Sequence, residues 1–553
     1  MAGNHSTEVN SDEPLPLHEL ISHILTTETS VPQSKARFLP VLGTMQQLNQ
    51  RLANQPLGDF INYNLRGIGQ VIFVNNPVSG LLILVALFLQ SPWVAFMGLL
   101  GVVASTITAI LFKLDRDSLR NGIFGYNGLL VGAALGTFGL SGNGAGNPLW
   151  AIAVFCTAAL TTVMMKVAGV WFVTLVKSPL LTLPFNIATL IFLIFIKIIP
   201  QPWFDLGKAA TAATTPSVGL DSISLMTALP IGFGQVFLAN QLIASLLIFF
   251  AVFICTPIGA AVGLLGSALG VVAGLILQVP LEPIYAGLWG YNAVLGAMAI
   301  GGIFYAPNRR GILMGSACGL LCTFTGMFLG LIFKPLGLPI MTFPFCIVTI
   351  GFFVILRRSL PSLVPVSLHT VTSPEEHQQR FLVAKEIISN FRHQLSAAMQ
   401  GKKYNMLFEQ SDTSIKGDLR YIFDAIDSDR SGELCFQELA NHLQQTKKPL
   451  SENELIYLFK SIDSDGNGVI EFAEFCELIL RYRRLMSKYS EFVTYFLPID
   501  TNEDDVISTD EMNLAMASVG ESPLSHDEVV FIQNSIAGQP LTWNHFIEVL
   551  LVI

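Results

Sequence analysis

The sequence predicts an all-α protein: a polytopic membrane domain built as two homologous halves of five helices each, followed by a separate soluble domain. Three observations predict this fold class. Of the 553 residues, 52% are hydrophobic and only 13% are charged, a balance that ordinary soluble domains do not show. Charged residues are almost absent from 67–112, 222–281 and 283–308, but they are abundant in the last third of the chain. Short motifs also recur inside the apolar region at a fixed spacing.

The repeated motifs are Gly-Gln-Val at 69–71 and 234–236, and Gly-Tyr-Asn at 125–127 and 290–292. The subtractions 235 − 70 and 291 − 126 both give 165, so the motifs recur in one register. A third motif, Thr-Xaa-Pro-Phe, begins at Thr182 and again at Thr342, and 342 − 182 gives 160 because a loop is shorter by five residues. Duplicated membrane units usually place their substrate site where the halves meet. The repeat therefore predicts a permeation pathway.

Apolar runs of roughly 20 residues are long enough to cross the hydrocarbon core of a bilayer. The predicted spans, five in each half, lie at 78–97, 95–113, 126–140, 149–176, 183–199, 241–257, 256–278, 291–305, 311–333 and 343–357. The basic pair Arg357 and Arg358 after the last span favours a cytosolic C-terminus. The first residues lack a basic segment followed by an apolar core, so no cleaved signal peptide is expected and the N-terminus is predicted to be cytosolic.

Shifts in composition divide the chain into six segments. These are an N-terminal cytosolic or interfacial tail at 1–54 with a short amphipathic helix at Leu17–Leu25, a first membrane repeat at 55–200, a connecting loop at 201–227, a second repeat at 228–360, a linker helix within 361–415 and a C-terminal domain at 416–553. The net charge of −9 argues against a nucleic-acid partner. The seven cysteines show no paired framework and are predicted to be reduced residues in the core.

The polar residues that recur in both halves are neutral. Gln70 and Gln235 follow glycines in apolar surroundings, where an amide either faces a cavity or bonds a neighbouring helix. The prolines after Thr182 and Thr342 interrupt helical hydrogen bonding and free carbonyl groups, which lipid does not satisfy. Ion-coupled carriers generally need buried charges, and the repeated motifs hold almost none. A neutral polar solute moving down its gradient fits this pattern best.

In these motifs, most clearly from Gly287 to Gly302, the region from about 55 to 358 is similar to the urea transporter family. The resemblance implies ten membrane helices, two short pore helices, one urea pore per protomer and a homotrimer in the plasma membrane, or in the inner membrane of a Gram-negative bacterium. It also implies the residues of the urea path. Amides come from Gln70 and Gln235, walls from Phe73, Tyr126, Leu130, Leu238, Tyr291 and Leu295, and hydroxyl oxygens near the middle from Thr182 and Thr342.

The soluble domain contains twelve-residue segments that match the calcium-binding loop of the EF-hand, with oxygen ligands at fixed positions and a glycine at position six. Two loops match fully, and their spacing, 463 − 427 = 36, is that of a paired EF-hand lobe, so the domain resembles calmodulin. A third keeps the ligands but carries Asp505 in place of the glycine, and a fourth at 534–545 lacks carboxylates and is expected to be only a structural partner. The predicted Ca²⁺ ligands are Asp427, Asp429, Ser431, Glu433 and Glu438, then Asp463, Asp465, Asn467, Val469 and Glu474, then Asp500, Asn502, Asp504, Val506 and Glu511.

The segment 373–400 shows helical periodicity with basic residues beside its apolar positions. Such a helix is either an intramolecular ligand for a calcium-opened groove or a rigid spacer. The sequence as a whole predicts a passive urea channel with EF-hands that regulate flux. The alternatives are a membrane-anchored calcium-binding adaptor, with a protein partner on the EF-hands, and an ion-coupled carrier of another small neutral amide. No motif assembles a catalytic nucleophile and base, so an enzyme is not expected.

Overall fold

The computed structural model describes residues 17–25, 42–52, 55–140, 147–176, 178–198, 204, 219–359, 373–400, 406–411, 413–444, 450–463, 466–489, 492, 504, 506–535 and 540–552. Regular structure in these residues is almost entirely α-helical, which confirms the predicted fold class. The chain divides into two compact units, Ala36–Gln378 and Met1–Lys35 with Gln379–Ile553. They are called here the membrane unit and the EF-hand unit. The N-terminal helix α1 (Leu17–Leu25) belongs to the EF-hand unit and has the bounds that the sequence predicts.

The first half of the membrane unit is a succession of apolar helices with shorter ones between them. They are α2 (Gln46–Leu52), α3 (Pro56–Gln70), α4 (Pro77–Gln90), α5 (Pro92–Leu111), α6 (Arg116–Arg120), α7 (Tyr126–Leu140), α8 (Pro148–Leu175) and α9 (Leu183–Ile198). Helices α5 and α7 approach closely because glycines line their contact, and a Cβ on Gly101 would collide with the carbonyl of Gly128. Small residues permit this backbone approach between membrane helices.

The second half repeats this order of elements. It consists of α10 (Ser222–Gln235), α11 (Leu242–Cys255), α12 (Pro257–Ile276), α13 (Leu281–Tyr285), α14 (Tyr291–Met298), α15 (Arg309–Phe333) and α16 (Phe343–Ser359). Helix α14 continues into a π-helical turn at Ala299–Ile303. One apolar core contains residues from both halves, including Ile68, Leu130, Phe185, Phe233, Leu295 and Phe345.

Helix α4 ends at Gln90, and α5 begins immediately after Ser91 because Pro92 interrupts helical hydrogen bonding and the Ser91 hydroxyl caps the new helix. The same break separates α11 from α12, where the Thr256 hydroxyl accepts a hydrogen bond from the Gly259 N–H at 2.9 Å and Pro257 follows. The predicted spans 78–97 and 241–257 were therefore wrong at their C-terminal ends.

In the part of the chain that the structure describes, ten apolar helices lie where ten spans were predicted, but they differ in length. Four are 20 to 28 residues long, namely Pro92–Leu111, Pro148–Leu175, Pro257–Ile276 and Arg309–Phe333, and each is long and apolar enough to cross a membrane. The other six have 10 to 17 residues, fewer than the roughly 20 expected for a span. Among them, the bounds predicted at 126–140, 183–199 and 343–357 agree with α7, α9 and α16 within two residues. The connecting loop also ends before residue 227, because the Asp221 carboxylate caps α10 at the Ser224 N–H, 2.8 Å away.

Left-handed backbone recurs at corresponding places of the two halves. Positive φ angles at non-glycine residues occur at Phe73 (63°) and Leu238 (60°), at Lys113 (50°) and Gln278 (52°), and at Leu181 (52°) and Met341 (46°). Subtracting the residue numbers gives 165 for the first two pairs and 160 for the third, as for the sequence motifs. L-residues adopt this conformation at a cost of roughly 1–2 kcal/mol each, so these turns are held by their surroundings.

Helix α17 (Pro374–Met399) begins in the membrane unit and continues into the EF-hand unit. The remaining elements of the EF-hand unit are α18 (Met406–Gln410), α19 (Thr413–Ile426), β1 (Glu433–Leu434), α20 (Phe436–Gln444), α21 (Glu452–Ile462), β2 (Ile470–Glu471), α22 (Phe472–Ser487), α23 (Thr509–Val519), α24 (His526–Ser535) and α25 (Trp543–Val552). Strands β1 and β2 pair antiparallel, with Glu433 opposite Glu471 and Leu434 opposite Ile470. This pairing joins the first two predicted calcium-binding loops.

Candidate functional site

Helices α3 and α10 both end at the repeated glutamine and close with the same turn. The Phe73 N–H donates to the Gln70 carbonyl at 3.1 Å, and the Leu238 N–H donates to the Gln235 carbonyl at 3.1 Å. The next N–H in each half reaches the carbonyl of the glycine before the glutamine, at 3.0 Å for Val74 and 2.9 Å for Ala239. This is the Schellman pattern of a helix C-terminus, in which glycine is the usual left-handed residue. Here Phe73 and Leu238 occupy that left-handed position.

The two glutamine amides make equivalent contacts. The Gln70 Nε2 donates to the Asn121 carbonyl at 2.9 Å, and the Gln235 Nε2 donates to the Ala286 carbonyl at 2.7 Å. Their acceptors stand in the register of the repeat as well, since 286 − 121 gives 165. Each amide nitrogen is thus fixed by the protein, and this contact sets the orientation of the amide oxygen.

Both repeated tyrosines hold the turn that precedes a repeated threonine. The Tyr126 hydroxyl donates to the Leu181 carbonyl at 2.6 Å, and the Tyr291 hydroxyl donates to the Met341 carbonyl at 2.7 Å. Leu181 and Met341 are the left-handed residues directly before Thr182 and Thr342. The tyrosine hydroxyls therefore provide hydrogen-bond donors to two backbone carbonyls of the turns that precede α9 and α16.

The threonines of the two halves contact each other. The Thr182 Oγ1 and the Thr342 Oγ1 lie 2.6 Å apart, and both side chains are buried. The Asn186 Oδ1 accepts hydrogen bonds from the N–H and the hydroxyl of Thr342, each at 3.1 Å. The Cys346 Sγ lies 3.2 Å from the Thr182 Oγ1 and 3.5 Å from the Asn186 Nδ2. These four side chains form a closed cycle of neutral donors and acceptors between the halves.

One direction of donation satisfies the whole cycle. The Cys346 thiol donates to Thr182, Thr182 donates to Thr342, Thr342 donates to the Asn186 oxygen, and the Asn186 amide nitrogen donates back to sulfur. A hydroxyl has two acceptor lone pairs, so each threonine oxygen retains one after serving as donor and acceptor once.

The aromatic and aliphatic residues predicted for the path differ between the halves. The Phe73 ring packs edge-on against Phe304 at a centroid distance of 5.8 Å and against Phe345 at 6.0 Å. Leu238 holds the corresponding position, and the neighbouring Phe237 is fully buried in the core. Leu130 and Leu295 lie one turn after the tyrosines and are each 1% exposed. The second half is therefore less aromatic at this position than the first.

Arg66 is a fully buried cation in α3, one helical turn before Gln70. Its guanidinium donates to the carbonyls of Thr44, Met45 and Asn75 at 2.7, 2.9 and 2.7 Å, and also to the side chains of Asn62 and Asn75. Oxygen acceptors thus surround the charge, which a buried guanidinium requires. The corresponding position of the second half is Ile231, so this network belongs to the first half.

The first predicted calcium loop brings its carboxylates together. One carboxylate oxygen from each of Asp427, Asp429 and Glu438 lies within 4.8 Å of the others. The Ser431 hydroxyl donates to the Glu433 carbonyl at 2.8 Å, so the remaining predicted ligands lie beside each other. Gly432, with φ of 88°, supplies the sharp turn.

In the second loop, the described ligands Asp463 and Glu474 accept hydrogen bonds from backbone N–H groups. The Asp463 carboxylate accepts from the N–H groups of Gly466 and Gly468 at 2.8 and 2.9 Å, and Glu474 accepts from the Glu471 N–H at 3.2 Å. Asp504, Val506 and Glu511 are described for the third loop. The predicted ligands outside the described residues are Asp465, Asp500 and Asn502, and so is the turn residue Asp505.

The third loop pairs with the fourth. Val506 forms an antiparallel bridge with Thr542, and the Ile507 N–H donates to the Leu541 carbonyl at 2.7 Å. The bridge confirms that the third and fourth hands pair, as the sequence predicts.

The geometry agrees with comparisons to known proteins. Residues 61–357 match the sequence profile described as Urea transporter, and residues 416–480 match that of an EF-hand domain pair. Urea transporter 1 of Ovis aries is 35% identical over 352 residues, which cover 62% of this chain and 89% of that protein. Urea transporter 1 of Mus musculus is 34% identical over 357 residues, covering 63% and 90%.

This chain belongs to the urea transporter family. It is a membrane protein of a family of passive channels, so the prediction that it is not an enzyme is confirmed. The chain extends beyond the matched transporter region, and the EF-hand pair lies in that extension.

Sequence reasoning did not single out several residues that this urea transporter family member brings to the site. Asn186 and Cys346 were missed because they occupy the same place in the two copies of one motif but differ in type. Extending the Thr-Xaa-Pro-Phe comparison by one position would have found them. Phe304 stands outside the repeated motifs, so only the fold brings it to Phe73.

Helix α17 occupies the range that periodicity predicts, and within the EF-hand unit it packs against the hands. Its Phe391 contacts Phe546, and its Glu386 bonds Lys488 and Arg484 at 2.6 and 2.5 Å. These hydrogen bonds lower the pKa of Glu386. Arg392 additionally reaches the carbonyls of Ser522 and Pro523. The part of α17 from Glu386 to Arg392 therefore packs against the hands within the EF-hand unit.

Proposed function

We propose that the protein is a passive urea channel of the plasma membrane whose cytosolic EF-hand domain binds calcium and regulates urea flux. The observation that carries the channel proposal is the hydrogen-bonded cycle at Thr182 and Thr342, where the halves of the membrane unit meet. Its hydroxyl, amide and thiol groups are all neutral. They suit a neutral solute that moves without an ion.

In this proposal the urea path crosses both halves of the membrane unit. Each half provides one urea-binding position, called here a station, and the threonine pair lies between the two stations. The oxygens of Gln70 and Gln235 accept hydrogen bonds from urea at the two stations. Phe73, Tyr126 and Leu130 form the walls of the first station, and Leu238, Tyr291 and Leu295 form those of the second. Thr182 and Thr342 offer their remaining lone pairs midway.

Urea is flat and neutral, with N–H donors along its edges and one strong carbonyl acceptor. Aromatic and aliphatic walls admit its plane, while oxygens along the path replace hydrogen bonds that it loses to water. Leaving one such bond unmade costs about 1–3 kcal/mol, so a purely apolar path would exclude urea. Rapid flow also requires weak binding at several stations rather than one tight site.

We assign calcium to three loops of the EF-hand unit. The clustered oxygens of Asp427, Asp429 and Glu438 fit the first site, since calcium takes several oxygen ligands and favours carboxylates. Asp463, Asp465, Asn467, Val469 and Glu474 form the second site. Asp500, Asn502, Asp504, Val506 and Glu511 form the third.

The contacts that support regulation lie at the start of α17, within the membrane unit. The Glu375 Oε1 accepts hydrogen bonds from the Thr256 hydroxyl at 3.0 Å and the Ile258 N–H at 2.7 Å. Glu376 accepts from the Thr44 hydroxyl at 2.7 Å, and the carbonyl of Thr44 in turn accepts from Arg66. Arg66 precedes Gln70 by one helical turn, so a continuous series of contacts leads from α17 to a station of the path.

The contacts of Glu375 and Glu376 with Thr44, Thr256 and Ile258 are called here the latch. The energies of these contacts favour reversible regulation. A carboxylate at the N-terminus of α12 is stabilised by the helix dipole. The Glu375 Oε2, however, is buried and has no hydrogen-bond partner among the described residues. Burial of an unpaired oxygen offsets part of the latch energy. In this proposal, calcium binding to the EF-hand unit acts on these contacts through α17.

The homotrimer and the cytosolic position of both termini are further parts of the proposal. They rest on the family resemblance and on the basic pair Arg357 and Arg358 after the last span.

The test is urea flux into vesicles that contain the purified full-length protein. We expect a flux far above that of protein-free vesicles, unchanged by an imposed proton or sodium gradient, and different between micromolar calcium and chelator. A flux that follows the ion gradient would replace the channel with an ion-coupled carrier. Absence of flux together with calcium binding would favour a membrane-anchored adaptor.

A further inference from the structure

Helix α1 is a short amphipathic segment whose apolar face is completely covered. Leu17, Leu20 and Ile21 are 0% exposed and Ile24 is 1% exposed, whereas Glu19 is exposed. The four apolar residues stand at i, i+3, i+4 and i+7, which places them on one face of a helix. A helix of nine residues is not stable alone in water, so its partner surface stabilises α1.

The covering surface belongs to the EF-hands. Within the EF-hand unit, α1 contacts α21, α22 and α25. The Glu548 Oε1 in α25 accepts a hydrogen bond from the Leu17 N–H, the first of the helix, at 3.4 Å. Burial and the neighbouring Glu548 carboxylate raise the pKa of Tyr457 in α21. Apolar side chains and a carboxylate at the helix N-terminus thus both match the surface to α1.

Helix α1 contacts the helices beside a predicted calcium-binding loop, so its docking is able to affect calcium binding. Helices α21 and α22 are the two that flank the second calcium loop, and α25 is the last helix of the fourth hand. In sensor EF-hands, calcium opens the angle between the flanking helices and exposes an apolar groove that an amphipathic helix occupies. A segment that binds both flanking helices stabilises the angle between α21 and α22 at which its contacts with them are best.

We propose that residues 17–25 are a built-in ligand of the EF-hand domain and that their docking is thermodynamically coupled to calcium binding at the second loop. Docking of α1 on the apolar surface of α21 and α22 favours the open, calcium-bound arrangement, because that is the arrangement in which sensor EF-hands present such a surface. Coupling between sites is reciprocal, so undocking α1 must weaken calcium binding at that loop. The coupling rests on the calcium assignment in the proposed function. The docking of α1 on the EF-hands does not depend on that assignment.

The first test measures docking by hydrogen exchange on the full-length protein in lipid nanodiscs. The double substitution Leu20→Asp and Ile21→Asp introduces charge into the covered face, and Glu19→Gln with Ser22→Ala is the matched control on the other face. We expect faster exchange in α21 and α25 for the first variant and no change in α4. Unchanged exchange in α21 and α25 would overturn the inference.

The second test measures calcium affinity of the same proteins. Allosteric couplings typically correspond to at least about a fivefold change in affinity, so we expect a loss of that size at the second loop in the double variant. A chain that lacks positions 1–26 should show the same loss, and a synthetic peptide spanning positions 15–27 should restore affinity to it. Such restoration shows that the truncated EF-hand domain is folded.

The outcomes separate this inference from the proposed function. Undocking of α1 with unchanged calcium affinity would overturn the coupling. A truncated chain that binds calcium like the unaltered protein would do the same. If the unaltered protein bound no calcium, both the coupling and the calcium part of the proposed function would fail, while hydrogen exchange would still decide whether α1 docks.

Discussion

The Thr182 Oγ1 lies 2.6 Å from the Thr342 Oγ1, and the two residues stand in corresponding segments of the two halves. The contact joins the start of α9 to the start of α16. Asn186 and Cys346 close the hydrogen-bonded cycle around it. Because the cycle spans both halves, a change on either side disturbs the same polar centre.

Replacing either threonine of this pair by valine should reduce urea flux. Thr182→Val or Thr342→Val removes an oxygen at the middle of the path and breaks the cycle, and one lost hydrogen bond of about 1.4 kcal/mol corresponds to a tenfold effect. The double variant should be little worse than either single one, since both belong to one network. Stopped-flow flux into vesicles measures this.

Thr174→Val is the control for the threonine variants, because Thr174 is exposed on α8 and its hydroxyl donates to the Val170 carbonyl of the same helix. Its flux should equal that of the unaltered protein. Equal flux in Thr182→Val and the unaltered protein would remove the threonine pair from the path.

Gly122→Ala should destabilise the membrane unit. Gly122 has φ of 73°, and a Cβ there would lie 2.6 Å from the Arg66 carbonyl carbon. Both strain and collision with α3 are therefore expected, and the melting temperature in detergent should fall by several degrees. Gly351→Ala in α16 is the control, since a Cβ there meets nothing within 4 Å. A Gly122→Ala variant as stable as this control would show that the two backbones are farther apart than described.

Each calcium loop should lose its ion independently when its last carboxylate is neutralised. Glu438→Gln, Glu474→Gln and Glu511→Gln each remove the ligand that supplies two oxygens in an EF-hand. Equilibrium dialysis of the full-length protein should therefore show about one ion fewer for each variant. An unchanged stoichiometry for Glu511→Gln would exclude the third site.

Acid should destabilise the first loop in the absence of calcium. Burial raises the pKa of Glu438, but hydrogen bonds from Cys435, Ser428 and Asp429 outweigh it and lower the pKa from 4.5 to about 2. A depressed pKa contributes stability that is present above pH 4.5 and is lost as the pH falls towards 2. Hydrogen exchange in α20 should accelerate over that interval. Glu438→Gln should remove this part of the pH dependence, and an identical profile in the variant would contradict the assignment.

Neutralising the latch should weaken the calcium response of the channel. Glu375→Gln and Glu376→Gln reduce charge-assisted hydrogen bonds to Thr256, Ile258 and Thr44, so movements of α17 reach the path less effectively. The ratio of urea flux with and without calcium should move towards one. Asp117→Asn neutralises an exposed carboxylate of the same unit and should leave the ratio unchanged. A full calcium response in the double latch variant would separate the latch from regulation.

Much of this architecture follows from local patterns in the sequence. The bounds of α1 follow from its apolar spacing, and the ten apolar helices follow from composition. Gln70, Gln235, Thr182 and Thr342 were selected because they recur, and the structure gives each pair equivalent or mutual contacts. A repeated pattern is informative because two positions must satisfy the same geometry.

Features that depend on packing between distant segments were not visible in the sequence. Glu375 and Glu376 look like ordinary acidic residues of a first helical turn, and only the fold brings them to Thr256 and Thr44. Phe73 has a left-handed backbone conformation, which a phenylalanine in the sequence does not indicate as a glycine would. Helix α1 showed amphipathic spacing, but the surface that covers it comes from the opposite end of the chain.

The most direct test compares urea flux in Gln70→Leu and Gln235→Leu with that of the unaltered protein, with Gln47→Leu on α2 as the control. A single path that crosses both halves passes each glutamine in series. Either substitution alone should therefore remove most of the flux. If each variant kept about half of the flux, the halves would form separate paths, and if neither lost any, the proposed path would be wrong.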